Sequence, residues 1–133
     1  MNEQNLNKLV GIPFKLNRKD FNGCDCRGIV WLYYSFIKNR ILPFSDGKKI
    51  FFRNPKNDKD RMMNILKTFT TPIRINDLQK SDIVIINNNT TVGSLGVCIN
   101  DKQILHMDRI IGSCLTRIRY LKEFILSGYR IND

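Results

Sequence analysis

Residues 29–37 read Ile-Val-Trp-Leu-Tyr-Tyr-Ser-Phe-Ile, apolar on nearly every side of a helix. A helix without a polar face has to lie inside a domain, so the remainder of the chain must be built around this one. Its start is well marked. Asn22-Gly23 signals a loop, and Asp25 is a good N-cap because its carboxylate can accept N–H groups of the first turn. The central helix is therefore expected over about residues 25–38. Cys26 then sits at the positive end of the helix dipole, which favours the thiolate, the nucleophilic form. Cys26 is expected to be the most reactive of the four cysteines, with the negative charge of Asp25 working against it. A small buried hydrophobe is the other reading of such a cysteine.

At 133 residues the chain fits a single domain, 1–133, able to bury a core without staples. Leu6, Leu9 and Val10 suit a short first helix over residues 2–10, ended by Gly11 and Pro13. A basic loop is expected over 14–24, a turn at Pro43 and Ser45-Asp46-Gly47, an extended piece at 48–52 and a loop at 54–57. Asp58 can cap a second long helix, with Met62, Ile65, Leu66 and Phe69 on one face and Thr70-Thr71-Pro72 closing it. After residue 80 the pattern becomes β. Ile83-Val84-Ile85-Ile86 reads as a buried strand, bounded by the asparagines at 87–89. Leu95, Val97 and Ile99 alternate with Ser94, Gly96 and Cys98. Asn100-Asp101 turns the chain into a returning strand over 103–107. A strand at 114–118, a short helix at 119–126 stopped by Gly128, and a last strand at 129–131 complete the reading. Helices first and an antiparallel sheet after them make an α+β fold, with the N-terminal helices packed on the sheet.

The formal net charge is +10. That favours an anionic partner: an anionic envelope polymer, a membrane surface or nucleic acid. No nucleic-acid motif accompanies the charge, so specific nucleic-acid binding is not favoured. No segment is long and apolar enough to span a membrane, and the polar N-terminus lacks the pattern of a secretory signal. Work at a cell envelope would then need another delivery route. A disulfide framework is not expected for Cys24, Cys26, Cys98 and Cys114. Cys24 and Cys26 with Cys98 and His106 have residue types that suit zinc, but the second closely spaced pair is missing, so no metal or other cofactor is expected.

Three blocks follow in order: Gly11-Ile12-Pro13-Phe14 before Asp25-Cys26-Arg27-Gly28-Ile29-Val30; then residues 78–84, Leu-Gln-Lys-Ser-Asp-Ile-Val; then Ser94-Leu95-Gly96-Val97-Cys98-Ile99 with a hairpin ending Ile104-Leu105-His106. Over about residues 9–110 this resembles the NlpC-type cell-wall cysteine peptidases, a papain-like family. Their pattern reads Gly-Ile-Pro-Tyr, Asp-Cys-Ser-Gly-Leu-Val, Leu-x-x-Gly-Asp-Leu-Val, and His-Val-Gly-Ile-Tyr before a hairpin ending Ile-His. The resemblance implies a papain-like fold with Cys26 as nucleophile, its base at the position of Ser94 and an orienting residue at His106. Asp25, Arg27 and Gly28, around the nucleophile, are the candidate substrate contacts. Arg27 stands where the family has serine, and Ser81 where it has glycine.

Ser94 is the departure with chemical weight. A hydroxyl cannot take a proton near neutral pH, and His106 is the chain's only histidine. Two functions stay open. One is a cysteine hydrolase acting on cell-wall peptides, weakened by Ser94 and using His106 as base. The other is an inactive relative that binds wall peptide or serves as a building block of a phage tail or secretion particle.

Overall fold

The computed structural model describes residues 3–44, 55–87 and 94–132. The turn expected at 45–47, the extended piece at 48–52 and the asparagines at 88–89 lie outside the described residues. The chain runs α1 (Glu3–Asn7), a small hairpin of β1 (Lys19–Asp20) and β2 (Gly23–Cys24), α2 (Cys26–Ile37), α3 (Pro55–Lys67), β3 (Thr70–Ile73), β4 (Ile83–Ile86), β5 (Ser94–Cys98), β6 (Gln103–Asp108), β7 (Gly112–Arg117), α4 (Ile118–Leu121) and β8 (Ile125–Ile131). The larger sheet has the order β3-β8-β4-β5-β6-β7, every neighbouring pair antiparallel. This is the expected α+β architecture.

The apolar helix α2 explains the layering. Ile29, Val30, Leu32 and Tyr33 are buried in one cluster with Ile83, Ile85, Leu95, Val97, Leu105 and Met107. Those strand residues alternate with Val84, Ile86, Cys98 and Ile104, which form a second cluster with Ile125 on the opposite face. Residues of adjacent strands that lie directly opposite share a face. Val84, Gly96, His106 and Cys114 therefore form one row across the sheet, on the side away from α2.

Four local expectations are corrected. The helix α3 begins at Pro55, where the 54–57 loop was expected; proline is tolerated in a first helical turn, whose N–H groups have no partner within the helix. Thr70-Thr71-Pro72 does not simply close that helix but forms the edge strand β3 against β8, where a missing N–H costs no ladder bond. The helix expected at 119–126 is one short turn, followed by a 3-10 turn at Lys122–Phe124. Gly128 lies inside β8, because Leu78 covers it so closely that a Cβ would come within 2.8 Å of the leucine Cδ2.

The N-terminal segment clasps the far edge of the sheet. Gly11 N–H donates to the Ser113 carbonyl at 2.8 Å, and Ser113 N–H returns to the Ile12 carbonyl at 2.8 Å. The Ser113 hydroxyl donates to the Leu9 carbonyl at 2.6 Å and accepts from Ile12 N–H at 2.9 Å. Gly112 has φ +89°, and a Cβ there would stand 2.5 Å from the Ile12 oxygen. Next along the chain, Cys24 N–H donates to the Pro13 carbonyl and Lys15 N–H to the Cys24 carbonyl. The segment thus ties β7 to the loop that precedes Cys26.

Ser81 adopts φ +74°, in the left-handed region. Two hydroxyls of α2 hold it: Tyr33 Oη lies 2.8 Å from Ser81 Oγ, and Tyr34 Oη donates to the Ser81 carbonyl. Left-handed backbone costs a non-glycine residue about 1–2 kcal/mol, close to the worth of one hydrogen bond, about 1 kcal/mol. Ser81→Gly is therefore expected to leave stability within about 1 kcal/mol of the parent in urea unfolding. Ser81→Ala keeps the backbone strain and loses the hydroxyl, so it is expected to cost about 1–2 kcal/mol.

Candidate functional site

The start of α2 is built around Asp25, which is 4 % exposed. Its Oδ1 accepts the Gly28 N–H at 2.8 Å, the expected cap, and its Oδ2 accepts the Asn17 N–H at 2.8 Å. Asn17 has φ +62°, and its side-chain oxygen accepts from Arg27 at 3.0 Å. Both carboxylate oxygens of Asp25 are therefore used on the protein's own backbone. Gly28 is buried, and a Cβ on it would lie 2.2 Å from the Arg18 carbonyl oxygen and 2.8 Å from the Cys24 Cβ. Its role in the structure is to let the 14–24 loop close over the helix.

Cys26 is half-buried at the first position of α2. Its sulfur meets the N–H of Leu95 in β5. The register explains how. Pairing of β5 with β6 ends at Gly96 opposite His106. Ile99 N–H points toward β6, donating to Gln103, and N–H direction repeats every second residue. The Leu95 N–H thus emerges on the same side beyond the last pair, where the thiol takes it. Ser94 is the next residue along the strand, so position 94 adjoins the sulfur through the backbone it touches.

The electrostatics oppose the expected reactivity. Burial, and then the charge of Asp25, push the Cys26 thiol up to about 11, against the smaller help of the Leu95 N–H and the Arg27 charge. The N-cap that shapes the helix start thus adds to what burial already does to this thiol.

His106 is half-buried in β6, in the row with Gly96 and Cys114. Its Nε2 lies 2.7 Å from Thr116 Oγ1 and 3.6 Å from Cys114 Sγ, both on β7. The ring is thus engaged toward β7. Burial lowers its pKa, with Asp108 acting in the opposite direction, so the neutral imidazole is favoured. Cys114 and Thr116 were missed as companions of His106. Alternation along residues 112–117 would have found them, once the turn after Asp108 was read as closing a second hairpin.

The zinc reading fails on placement. Cys24 is in the cluster under α2 and Cys98 in the cluster on the opposite face, and burial pushes both thiols up to about 12. Among the described residues no group of three His, Cys, Asp or Glu side chains could hold a metal ion.

Basic and aromatic groups surround the start of α2. Lys19 Nζ stands 4.4 Å from the Trp31 ring centroid, and the Arg109 guanidinium 5.6 Å from that of Phe14. Arg27 adds a positive charge beside Cys26. Among the described residues no helix is long and apolar enough to cross a membrane.

No family model matches the sequence, and no curated protein matches it. Solved structures do. The NlpC/p60 domain of the peptidoglycan hydrolase SagA superposes with a TM-score of 0.63 at 12 % identity, covering 98 % of this chain and 95 % of that domain. A lipoprotein-like protein of the NLP/P60 family from Staphylococcus aureus superposes at 0.61 and 15 % identity. It covers all of this chain, which spans 43 % of the staphylococcal protein's length. The fold is accordingly the α+β papain-like fold of NlpC/P60 proteins.

Two outcomes test this description of the helix start. Alkylation of Cys26, mapped by mass spectrometry, should rise about tenfold per pH unit between about pH 8 and pH 10, since the thiolate is the reacting species. A rate already level near neutral pH would show that an unseen base serves this sulfur. Gly28→Ala should lower stability by about 2 kcal/mol in thermal or urea unfolding, because the loop backbone must move away from the new methyl group.

Proposed function

We propose that this protein recognises cell-wall peptides through the cleft at Cys26 and does not turn them over at a peptidase's rate. The carrying observation is the placement of Cys26: its sulfur takes the Leu95 N–H next to Ser94, where the fold's peptidases are expected to keep a histidine, and burial pushes the thiol above its usual range. A hydroxyl cannot accept that proton near neutral pH. The match to the NlpC/p60 domain of a peptidoglycan hydrolase supports wall peptide as the ligand class. The net charge of +10 supports it too, because such peptides carry carboxylates. The place of action we propose is the cell envelope.

A slow cysteine hydrolase is the second reading, favoured by one feature. The sulfur still lies at a helix start with the Leu95 and Arg27 N–H groups acting on it, as an attacking thiolate would require. In that reading Cys26 attacks a peptide carbonyl and His106 takes the proton.

The test is a replacement at position 94. The parent should bind purified wall sacculi and release little soluble peptide. Ser94→His should raise peptide release by about 10²-fold if a missing base is the limit. Ser94→His combined with Cys26→Ala should be inactive. A parent as active as the variant would favour the slow hydrolase with His106 as base. A parent that fails to bind sacculi would overturn the proposal. Binding should weaken as salt is raised, since exposed charges are screened beyond about 8 Å at physiological ionic strength.

A further inference from the structure

Cys114, His106 and Thr116 form a compact group on the face of the sheet away from α2. His106 lies opposite Cys114 in the ladder, and Thr116 lies two residues further along β7 on the same face. The imidazole Nε2 is 3.6 Å from Cys114 Sγ and 2.7 Å from Thr116 Oγ1, and Cys114 also contacts the Thr116 hydroxyl, so a path for the thiol proton runs to the ring directly or through that hydroxyl. Cys114 and Thr116 are half-buried on β7, an edge strand of the sheet, whereas Cys24 and Cys98 are at most 1 % exposed. Cys114 thus combines an adjacent imidazole with a place that a small molecule can reach.

We propose that Cys114 is a reversible thiolation site that reacts with small disulfides, with His106 as its proton acceptor. The Cys114 proton passes to Nε2, directly or through the Thr116 hydroxyl. The sulfur attacks one sulfur of the disulfide, an S–S bond forms at Cys114 and the S–S bond of the small molecule breaks. The departing thiolate then takes the proton from the imidazolium, leaving a mixed disulfide and a free thiol. A disulfide is the fitting electrophile because attack on sulfur develops no oxyanion and needs no set of N–H donors. The neutral imidazole is the form that this step requires, and burial of the ring favours it; burial and then Asp108 raise the Cys114 thiol against the help of Thr116, so the thiol stays protonated until the ring acts on it. The reacting thiol here is Cys114 rather than Cys26, and the proposal does not rest on the wall-peptide reading.

The test exposes the whole protein to oxidised glutathione and maps adducts by mass spectrometry over time. Cys114 should be modified first, and a reducing agent should restore it. His106→Gln, with its fold checked by circular dichroism, should slow modification of Cys114 by about 10²-fold. The parent supplies a second readout that needs no variant. Its Cys114 rate should climb with pH through the imidazole titration below about pH 7 and then level, whereas an unassisted thiol would keep climbing past about pH 8.5. Modification of Cys26 first, or a Cys114 rate that ignores His106→Gln, or a profile that follows simple thiol ionisation, would each overturn the proposal.

Discussion

The two hydrogen bonds accepted by Asp25 set the geometry on which the start of α2 and the loop before it depend. One oxygen fixes the first turn of α2, and the other holds the left-handed Asn17 in the loop before it. A buried carboxylate is tolerable only where such donors satisfy it, and here they are all backbone. The loop cannot move without releasing the helix start, nor can the helix start shift without exposing the carboxylate. The position of the Cys26 sulfur follows from this, and so does part of its resistance to ionisation: burial is the larger cause, and the same negative charge one residue away adds to it.

A second constraint comes from the pleat. Cross-strand neighbours share a face, so the row Gly96, His106, Cys114 is fixed once the β5–β6–β7 register is fixed. Cys26 approaches from the α2 side and reaches the sheet only where β5 and β6 part. The chain's one histidine and its helix-start cysteine are served by different surroundings: backbone N–H groups and a carboxylate for the thiol, a β7 hydroxyl and thiol for the ring.

Much of this was legible in the chain. The unbroken apolar run at 29–37 required a buried helix, and Asp25 marked its start to the residue. The alternation of Leu95 and Val97 with Gly96 and Cys98 named the two faces of β5 correctly. What escaped reading was decided by contacts distant in sequence. Pro72 looked like a terminator until β8 supplied a partner strand, and Gly128 looked like a stop until Leu78 supplied its cover. The raised pKa of Cys26 was only half visible: Asp25 is its neighbour in sequence, but the larger cause is burial, which local sequence does not disclose. His106 could be placed on its strand, yet the direction of its ring depended on a third strand that was read two residues short at its start.

The clasp between residues 9–12 and Ser113 bears on the order in which the molecule assembles. Its hydrogen bonds join residues about 100 positions apart, with Ile12 N–H and Ser113 Oγ separated by 101. Closing a loop of that length costs about 2 kcal/mol more than closing one of ten residues, at about 0.6 kcal/mol per doubling. The β4–β5 and β5–β6–β7 hairpins pair over far shorter separations and present Ser113 only once β7 is in place. The entropic order is therefore hairpins first, α2 onto their apolar face next, and the N-terminal segment last. The segment that docks last is also the one that leads into the Cys26 loop. A chain leaving a ribosome with its N-terminus first must keep that segment waiting until almost the whole domain has been made.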